Sequence, residues 1–422
     1  MTQQSTESAG PAQSNNFAMA MAAVVFFLFG FGTSLNGVLQ PHLQSIFSLT
    51  NFKSALVQTA FFSAYFFLSI PAAALMGRLG YQKSMVLGLS VMGFGALLFY
   101  PAAGQLSFGV FLAAIFVLAA GVVMLQVAAN PFVTLLGAPA GASSRLNLVQ
   151  AFNSVGQMLA PYLGGLLFLS GVAATEVMTE AQQTSLAQAV KLPYLGIAII
   201  LAILALVLSR LKLTLPSQLA SARPDPGDSV WKHRHLVLGA VAIFAYVGAE
   251  VCVSSNFVNY LTQPEIGNMT QKMAAPYLSL MWLGMIVGRL AGTAGLRTLS
   301  GGKVLGWASL GAFALTVTTV LTTGNMAIAS IILVGLLESI MFPTIFALAV
   351  SKLGTLTGKG SGLINMAIVG GAAIPPIQGF MADHIQHQGL HVSFIVPAIC
   401  YIYILYYGFI GSKIRVPAGS AA

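Results

Sequence analysis

Two consecutive apolar stretches of the sequence carry uncharged amide side chains at helical spacing. The amides are Gln126 and Asn130 on the first stretch and Asn147, Gln150, Asn153 and Gln157 on the second. At about 100° per residue, the second group falls within roughly 120° of one helical face. Amides donate and accept hydrogen bonds without carrying charge. The pattern therefore predicts a binding surface for a neutral ligand with many hydroxyl groups.

An alternative interpretation is that these amides only hydrogen-bond to neighbouring helices. Burying six polar groups among apolar residues is costly unless the groups are used. We therefore expect Gln126, Asn130, Gln150, Asn153 and Gln157 to be hydrogen-bonding partners of the ligand.

Two acids lie well inside other apolar stretches, where an acid is expensive and indicates function. Glu250 lies about fifteen residues into its stretch, and Glu338 lies one helical turn before Phe342. Because residues i and i+4 share a helical face, Glu338 and Phe342 are predicted to face the same cavity. Either acid could carry a proton or bind sodium, with Glu250 the candidate sodium ligand. The alternative is a buried, protonated acid bonded to a hydroxyl such as that of Ser254.

The composition places these residues in a membrane protein. The 422 residues are 57% hydrophobic and only 6% charged, whereas soluble domains carry about 25% charged residues. Apolar stretches of roughly 20 residues recur, which predicts an all-α integral membrane protein and not a barrel. The net charge of +9 is spread over short loops, so we expect a lipid bilayer and no nucleic acid as partner. Cys252 and Cys400 show no metal spacing, and no cofactor is expected.

About twelve spans are predicted, in two halves of six. The N-terminal half, 17–210, holds spans near 17–40, 54–77, 84–101, 107–136, 145–170 and 192–210. The C-terminal half, 236–411, holds spans near 236–262, 273–296, 303–323, 326–351, 361–382 and 391–411. Residues 211–235 are predicted to form a cytoplasmic linker, residues 1–16 a disordered cytoplasmic tail, and residues 412–422 a second cytoplasmic tail.

The basic residues predict the orientation of these spans. If both termini are cytoplasmic, Lys53, Lys191 and Lys272 lie outside, and the other fifteen of the 18 Lys and Arg residues lie inside or at inner helix ends. Such a bias is what the positive-inside rule requires.

The two halves also resemble each other weakly. Gly77-Arg78 follows the second span, as Gly288-Arg289 follows the eighth. Parallel halves with helices interrupted by Gly or Pro are typical of secondary transporters, whose binding site lies between the halves. The 44 glycines would let helices approach closely and move.

Longer strings of residues extend over nearly the whole chain. They include LNGVLQP at 35–41, AANPFV at 128–133, RLNLVQAFNS at 145–154, YVGAEV at 246–251, SIMFPTIF at 339–346 and FIVPAICY at 394–401. In these strings the chain resembles the major facilitator superfamily, and within it the fucose permease family and its glucose/galactose transporter branch. The resemblance implies the major facilitator fold and cation-coupled symport of a sugar.

The resemblance also implies site residues, with two departures. It implies sugar-facing amides at Gln150 and Asn153 and an aromatic wall at Phe342. Proton-coupled fucose permeases carry an aspartate where Gly37 stands and a glutamate where Gln126 stands. Both carboxylates are absent here, so a proton mechanism through those two positions does not carry over.

The remaining candidates follow from these departures. Glu250 and Glu338 become the candidate coupling acids, with Glu250 the first choice. Trp282, in the middle of its span, could stack on a pyranose ring. Asn36, Glu338 and Asn365 complete the candidate sugar-binding residues.

The sequence thus predicts a monomeric secondary transporter in the bacterial inner membrane. It would take up a neutral monosaccharide, such as glucose or galactose, by symport with Na⁺ or H⁺ and by alternating access. Uncoupled uniport, export, or transport of N-acetylglucosamine, mannose or fucose stay open as alternatives. An intramembrane hydrolase would need a nucleophile–base pair or a His-x-x-x-His metal motif. The sequence has neither, so no enzyme is expected.

Overall fold

The computed structural model describes residues 13–47, 49, 51–168, 179–211, 229–269, 271–385 and 389–414. In the N-terminal half the helices are α1 (Gln13–Ile46), α2 (Asn51–Leu79), α3 (Tyr81–Gln105), α4 (Phe108–Leu135), α5 (Ala142–Phe168), α6 (Glu180–Ala189) and α7 (Lys191–Arg210). In the C-terminal half they are α8 (Arg234–Leu261), α9 (Gln271–Gly295), α10 (Gly301–Leu321), α11 (Gly324–Glu338), α12 (Met341–Ala349), α13 (Thr357–Met366), α14 (Gly370–Ala373), α15 (Pro375–His384), α16 (Gly389–Val392) and α17 (Ile395–Tyr406).

These helices group into about twelve spans. Within the described residues, 11 segments are long and apolar enough to cross a membrane. Helix α5, with 27 residues, occupies the predicted fifth span. Helices α11 and α12 share the tenth span, α13 to α15 the eleventh, and α16 and α17 the twelfth. The predicted all-helical membrane fold is therefore confirmed, and most helix ends lie within a few residues of the predicted ones.

The predicted tails and linker fall largely outside the described residues. Residues 1–12, 212–228 and 415–422 are not described, so most of the linker at 211–235 and of the tails at 1–16 and 412–422 stay predictions. Helix α1 begins at Gln13, slightly earlier than the predicted end of the first tail.

Close helix contacts in the N-terminal half depend on glycine. Helix α1 packs along α5, and a Cβ atom at Gly156 of α5 would collide with the carbonyl oxygen of Phe27 on α1. Likewise, a Cβ atom at Gly30 would collide with the backbone of Asn153. Glycine at these two positions lets the backbones touch, as small residues do in membrane helix pairs. The contact fixes the amide-bearing face of α5 against α1.

The tenth span is broken where α11 ends at Glu338 and α12 begins at Met341. Pro343, in the first turn of α12, has no N–H group, so it cannot donate to the carbonyl of Ser339 four residues earlier. The flanking backbone bonds are kept, since Ser339 N donates to Gly335 O and Thr344 N donates to Ile340 O, both at 3.2 Å. The Ser339 carbonyl is thereby left for a partner on another helix.

The two halves contact each other at the end of the bundle where α4 ends and α5 begins, termed the closed end. Helix α2 packs on α13 there, and α5 packs on α9 and α12. Ser144 Oγ donates to Thr293 O at 2.8 Å, and Ser361 Oγ donates to Val127 O at 2.9 Å. Each of these hydrogen bonds joins one half to the other. This end therefore holds the contact that must part if the halves are to move.

Reactivity of introduced cysteines tests the predicted orientation. Ala140 is exposed at the closed end, and Ala181 is exposed in the first turn of α6 at the opposite end. If the closed end faces the cytoplasm, Ala181→Cys should react in intact cells with a membrane-impermeant thiol reagent. Ala140→Cys should react only after permeabilisation. The unmodified protein, whose Cys252 is buried and Cys400 partly buried, gives the background, and the reverse pattern would overturn the predicted orientation.

Candidate functional site

A central cavity of about 180 Å³ lies between the two halves. Helices α1, α2, α4 and α5 line it on one side, and helices α8, α9 and α12 line it on the other. Liquid water occupies about 30 Å³ per molecule, so the cavity has room for one small ligand. Its place between the halves is where secondary transporters bind their substrates.

The N-terminal half presents a wall of amides to this cavity. Gln126, Gln150, Asn153 and Gln157 all line it, and Gln126, Gln150 and Asn153 are only 7%, 4% and 2% exposed. Asn153 Nδ2 donates to the carbonyl of Phe26 at 3.0 Å, which holds its amide plane in place. The Oε1 atom of Gln126 has no partner among the described residues, so a ligand hydroxyl that donated to it would remove the cost of its burial.

Aromatic side chains complete the wall from both halves. They are Phe29 from α1, Phe61, Phe62 and Tyr65 from α2, Tyr246 from α8 and Phe342 from α12. The rings of Tyr246 and Phe342 lie 6.2 Å apart at 53°. Aromatic rings offer large apolar surfaces of fixed shape, which suit the C–H face of a sugar ring. Phe342 lines the cavity, and its contact with a sugar stays a prediction.

The carboxylate of the cavity belongs to Glu250. This half-buried residue lines the cavity in the middle of α8. The hydroxyl of Tyr246 donates to its Oε1 atom at 2.9 Å. Ser254, considered as a partner from the sequence, donates to the backbone carbonyl of Glu250 at 2.7 Å instead. The tyrosine therefore orients the acid while part of the acid stays accessible from the cavity.

A buried arginine faces the same cavity, a position that was not predicted from the sequence. The positive-inside rule places Arg289 at the inner end of the eighth span, but in the structure it lies inside α9, 4% exposed and on the cavity wall. Its Nε donates to Ser339 O at 3.1 Å. Its Nη1 donates to Gln150 O at 2.8 Å and also to Ser154 Oγ. Arg289 thus ties the broken tenth span to α5 of the other half.

Two features explain this geometry of Arg289. The carbonyl of Ser339 is available because Pro343 cannot donate to it. Helix α9 continues past Arg289 to Gly295, which keeps the guanidinium within the span. The sequence held one sign of this position, because Arg289 lies well before the end of its predicted span, 273–296.

Glu338 does not share the cavity with Phe342, contrary to the prediction. It is 0% exposed, and it is not among the residues that line the cavity. The hydroxyl of Tyr401 on α17 donates to its Oε1 atom, and its Oε2 atom has no partner among the described residues. The i, i+4 rule fails here because the helix is interrupted between Glu338 and Met341.

Of four other predicted site residues, three do not line the cavity, and the side chain of the fourth is not among those that the structure describes. Asn130 and Asn365 are both 0% exposed and are not among the residues that line the cavity. Trp282 is partly buried and packs against the hydrophobic core. Asn36 belongs to α1, but its side chain lies outside the described part of the chain.

About twelve membrane-crossing helices in two halves, with a polar cavity at their interface, define a membrane transporter. The chain belongs to the Major Facilitator Superfamily, whose profile matches residues 22–376. The predicted membership of this superfamily is confirmed.

Individual relatives cover nearly the whole chain. A glucose/galactose transporter of Brucella abortus biovar 1 (strain 9-941) is 46% identical over 401 residues, 94% of each chain. The L-fucose-proton symporter of Escherichia coli (strain K12) is 34% identical over 413 residues, covering 94% of this chain and 93% of that protein. The crystal structure of FucP in the outward conformation matches with a TM-score of 0.85 at 34% identity, over 94% of this chain and 98% of that chain.

These relatives confirm the resemblance to the fucose permease family and its glucose/galactose branch. All of them carry the names of transporters. The chain is accordingly a multi-pass membrane transporter.

Proposed function

We propose that this protein takes up a neutral hexose, such as glucose or galactose, together with a proton. The observation that carries the proposal is the central cavity, where four amides and six aromatic rings face Glu250 and Arg289. The glucose/galactose transporter at 46% identity supports the hexose. The L-fucose-proton symporter at 34% identity supports the proton over sodium.

The amides and aromatic rings account for a neutral ligand. A hexose presents hydroxyl groups that donate and accept, and amides match both functions. Gln126, Gln150, Asn153 and Gln157 would bind these hydroxyls, while Phe342 would cover an apolar face of the ring. The site would be specific, because a ligand that leaves a buried amide without a hydrogen-bonding partner binds with a less favourable free energy.

Glu250 is the proposed coupling acid. An ionised carboxylate in a closed, water-poor cavity is costly unless it is paired. In the empty transporter Arg289 of the same cavity can compensate that charge. A bound sugar would separate the two groups, and Glu250 would then have to accept a proton before the cavity closed. Movement of sugar is thereby linked to movement of a proton.

The two halves are proposed to alternate between two orientations. The described structure is joined at the closed end, and its relative FucP was solved in an outward conformation. We therefore assign the closed end to the cytoplasm and the present state to the outward-facing one. The proposal includes a monomer in the bacterial inner membrane with both termini cytoplasmic.

Uptake by purified protein in liposomes tests the function. An imposed pH gradient, acidic outside, should drive labelled glucose or galactose above its external concentration. A sodium gradient alone should not. Equilibration without accumulation under either gradient would indicate uniport, and absence of hexose movement would overturn the proposal.

The amide wall makes a separate prediction. Gln150→Ala and Asn153→Ala should each weaken hexose binding by about 1–3 kcal/mol, because sugar hydroxyls and amide partners are left unpaired. Titration of purified protein with sugar measures the dissociation constant. Ser90→Ala, on an exposed face of α3, is the control and should bind normally. Unchanged affinity in both amide variants would place the sugar elsewhere.

A further inference from the structure

Three asparagines lie about one helical turn below the cavity, towards the closed end. They are Asn130 on α4, Asn147 on α5 and Asn365 on α13. Asn130 and Asn147 stand four and three residues from Gln126 and Gln150, which line the cavity on the same helices. Asn365 stands three residues before Ile368, which lines the cavity just beyond the end of α13. Residues at this spacing share a helical face and differ in depth by about 5 Å. The three asparagines, termed the lower asparagine layer, therefore continue the cavity surface towards the closed end.

The layer is buried and only partly hydrogen-bonded. All three residues are 0% exposed. Asn147 Nδ2 donates to Ser143 O at 2.9 Å and Asn365 Nδ2 donates to Ser361 O at 2.8 Å. Their Oδ1 atoms, and both polar side-chain atoms of Asn130, have no partner among the described residues. Buried polar atoms without partners cost free energy, so the layer destabilises the closed arrangement that buries it.

Contacts between the halves cover this layer. Asn147 Nδ2 also reaches Thr344 Oγ1 on α12 of the other half, at 3.4 Å. Ser361, which accepts from Asn365, donates to Val127 O on α4 across the interface. When the halves part at the closed end, these contacts are the ones that separate. The asparagines then become accessible on the path from the cavity to that side of the membrane.

We propose that the lower asparagine layer is a second sugar-binding site, which forms when the closed end opens and receives the sugar as it leaves the central cavity. The proposal rests on the proposed function, since it takes the same hexose. The layer supplies amide donors and acceptors alone, whereas the central cavity also holds Glu250 and Arg289. It therefore binds a neutral hydroxyl-rich molecule without needing the coupling acid. Such a site also satisfies the amide atoms that are unpartnered in the closed state.

Sugar exchange measured separately from each membrane face tests the site. Right-side-out and inside-out vesicles give the half-saturating glucose concentration at either face of the full-length protein. Asn130→Ala and Asn365→Ala should raise it about 5- to 30-fold at the face that carries the closed end. At the opposite face both variants should stay within about twofold of the unmodified protein, because that face loads the central cavity. Normal loading there also shows that the variants are folded.

Two further variants are controls for this comparison. Gln150→Ala should raise the half-saturating concentration at both faces, since it lines the central cavity. Asn130→Ser keeps a hydroxyl and should recover part of the loss. Equal shifts at both faces, or no shift at the closed-end face, would overturn the site while the proposed function stands. If the unmodified protein exchanges no hexose at all, the proposed function and the site are both overturned.

Discussion

Proton-driven accumulation of sugar is expected to disappear in the Glu250→Gln variant, while exchange of sugar across the membrane continues. Glutamine keeps the size of the side chain and an oxygen for the Tyr246 hydroxyl, which lies 2.9 Å from Glu250 in the structure. It cannot take up or release a proton, so the gradient no longer drives the sugar. Exchange at equal sugar concentrations needs no net proton movement and is spared. Labelled-sugar uptake with and without an imposed pH gradient measures both processes.

The matched control for this variant is Glu338→Gln. Glu338 is also an acid within a span, but it is fully buried and lies outside the cavity wall. We expect accumulation to persist in this variant. Accumulation that survives in Glu250→Gln but is lost in Glu338→Gln would move the coupling role to Glu338. Accumulation that survives in both variants would contradict coupling by either acid.

Arg289→Met is expected to loosen the closed end. The substitution removes donors to the buried carbonyls of Gln150 and Ser339, which lie on different halves. Hydrogen bonds from charged groups contribute about 1.5–3 kcal/mol each, so the population of the open arrangement should rise by at least about tenfold. Spin labels on Ala140→Cys and Thr355→Cys, exposed on the two sides of the closed end, should show a longer distance. Coupled transport should fall at least about tenfold, because the cation proposed to compensate the charge of Glu250 is removed.

Arg297→Met is the matched control for Arg289→Met. Arg297 follows the end of the same helix and is exposed to solvent, so its removal should change neither the label distance nor transport. Both experiments use a background without Cys252 and Cys400. A label distance in Arg289→Met equal to that of the parent would show that this arginine does not hold the halves together.

The helical fold could be predicted because one physical rule dominates it. In a bilayer every backbone group must be satisfied within the chain, so each apolar stretch of sufficient length becomes a helix. Helices α4 and α7 accordingly match the predicted spans 107–136 and 192–210 closely. The breaks inside the later spans were harder to place, since prolines are tolerated within membrane helices. Pro71 and Pro131 lie inside continuous helices, whereas Pro343 accompanies a break.

The candidate site was predictable where the helix stays regular. Helix α5 is continuous from Ala142 to Phe168, so the spacing of Gln150, Asn153 and Gln157 placed all three on the cavity wall. Glu338 was misplaced because regular spacing was extended across a break. Arg289 was overlooked because a basic residue near a span end usually marks a loop.

The sequence also did not predict how deep along its helix each polar residue lies relative to the cavity. Asn130 shares a helical face with Gln126, as their spacing predicts. Spacing cannot tell which turn borders the cavity and which lies under the contact between the halves. That boundary depends on how far the other half extends over α4, which no local pattern in α4 records.

The break in the tenth span should make the two halves unequally stiff. Helices α4 and α5 are uninterrupted rods of 28 and 27 residues, whereas the tenth span consists of pieces of 15 and 9 residues. Where the ladder of backbone hydrogen bonds is interrupted, a helix bends more easily than along a continuous stretch. The half that holds the amides should therefore turn as a rigid lever, while the half that holds the charges flexes beside Ser339. Arg289 donates to the carbonyl of Ser339 at this break. A small displacement of the guanidinium would therefore bend the tenth span before the halves begin to rotate.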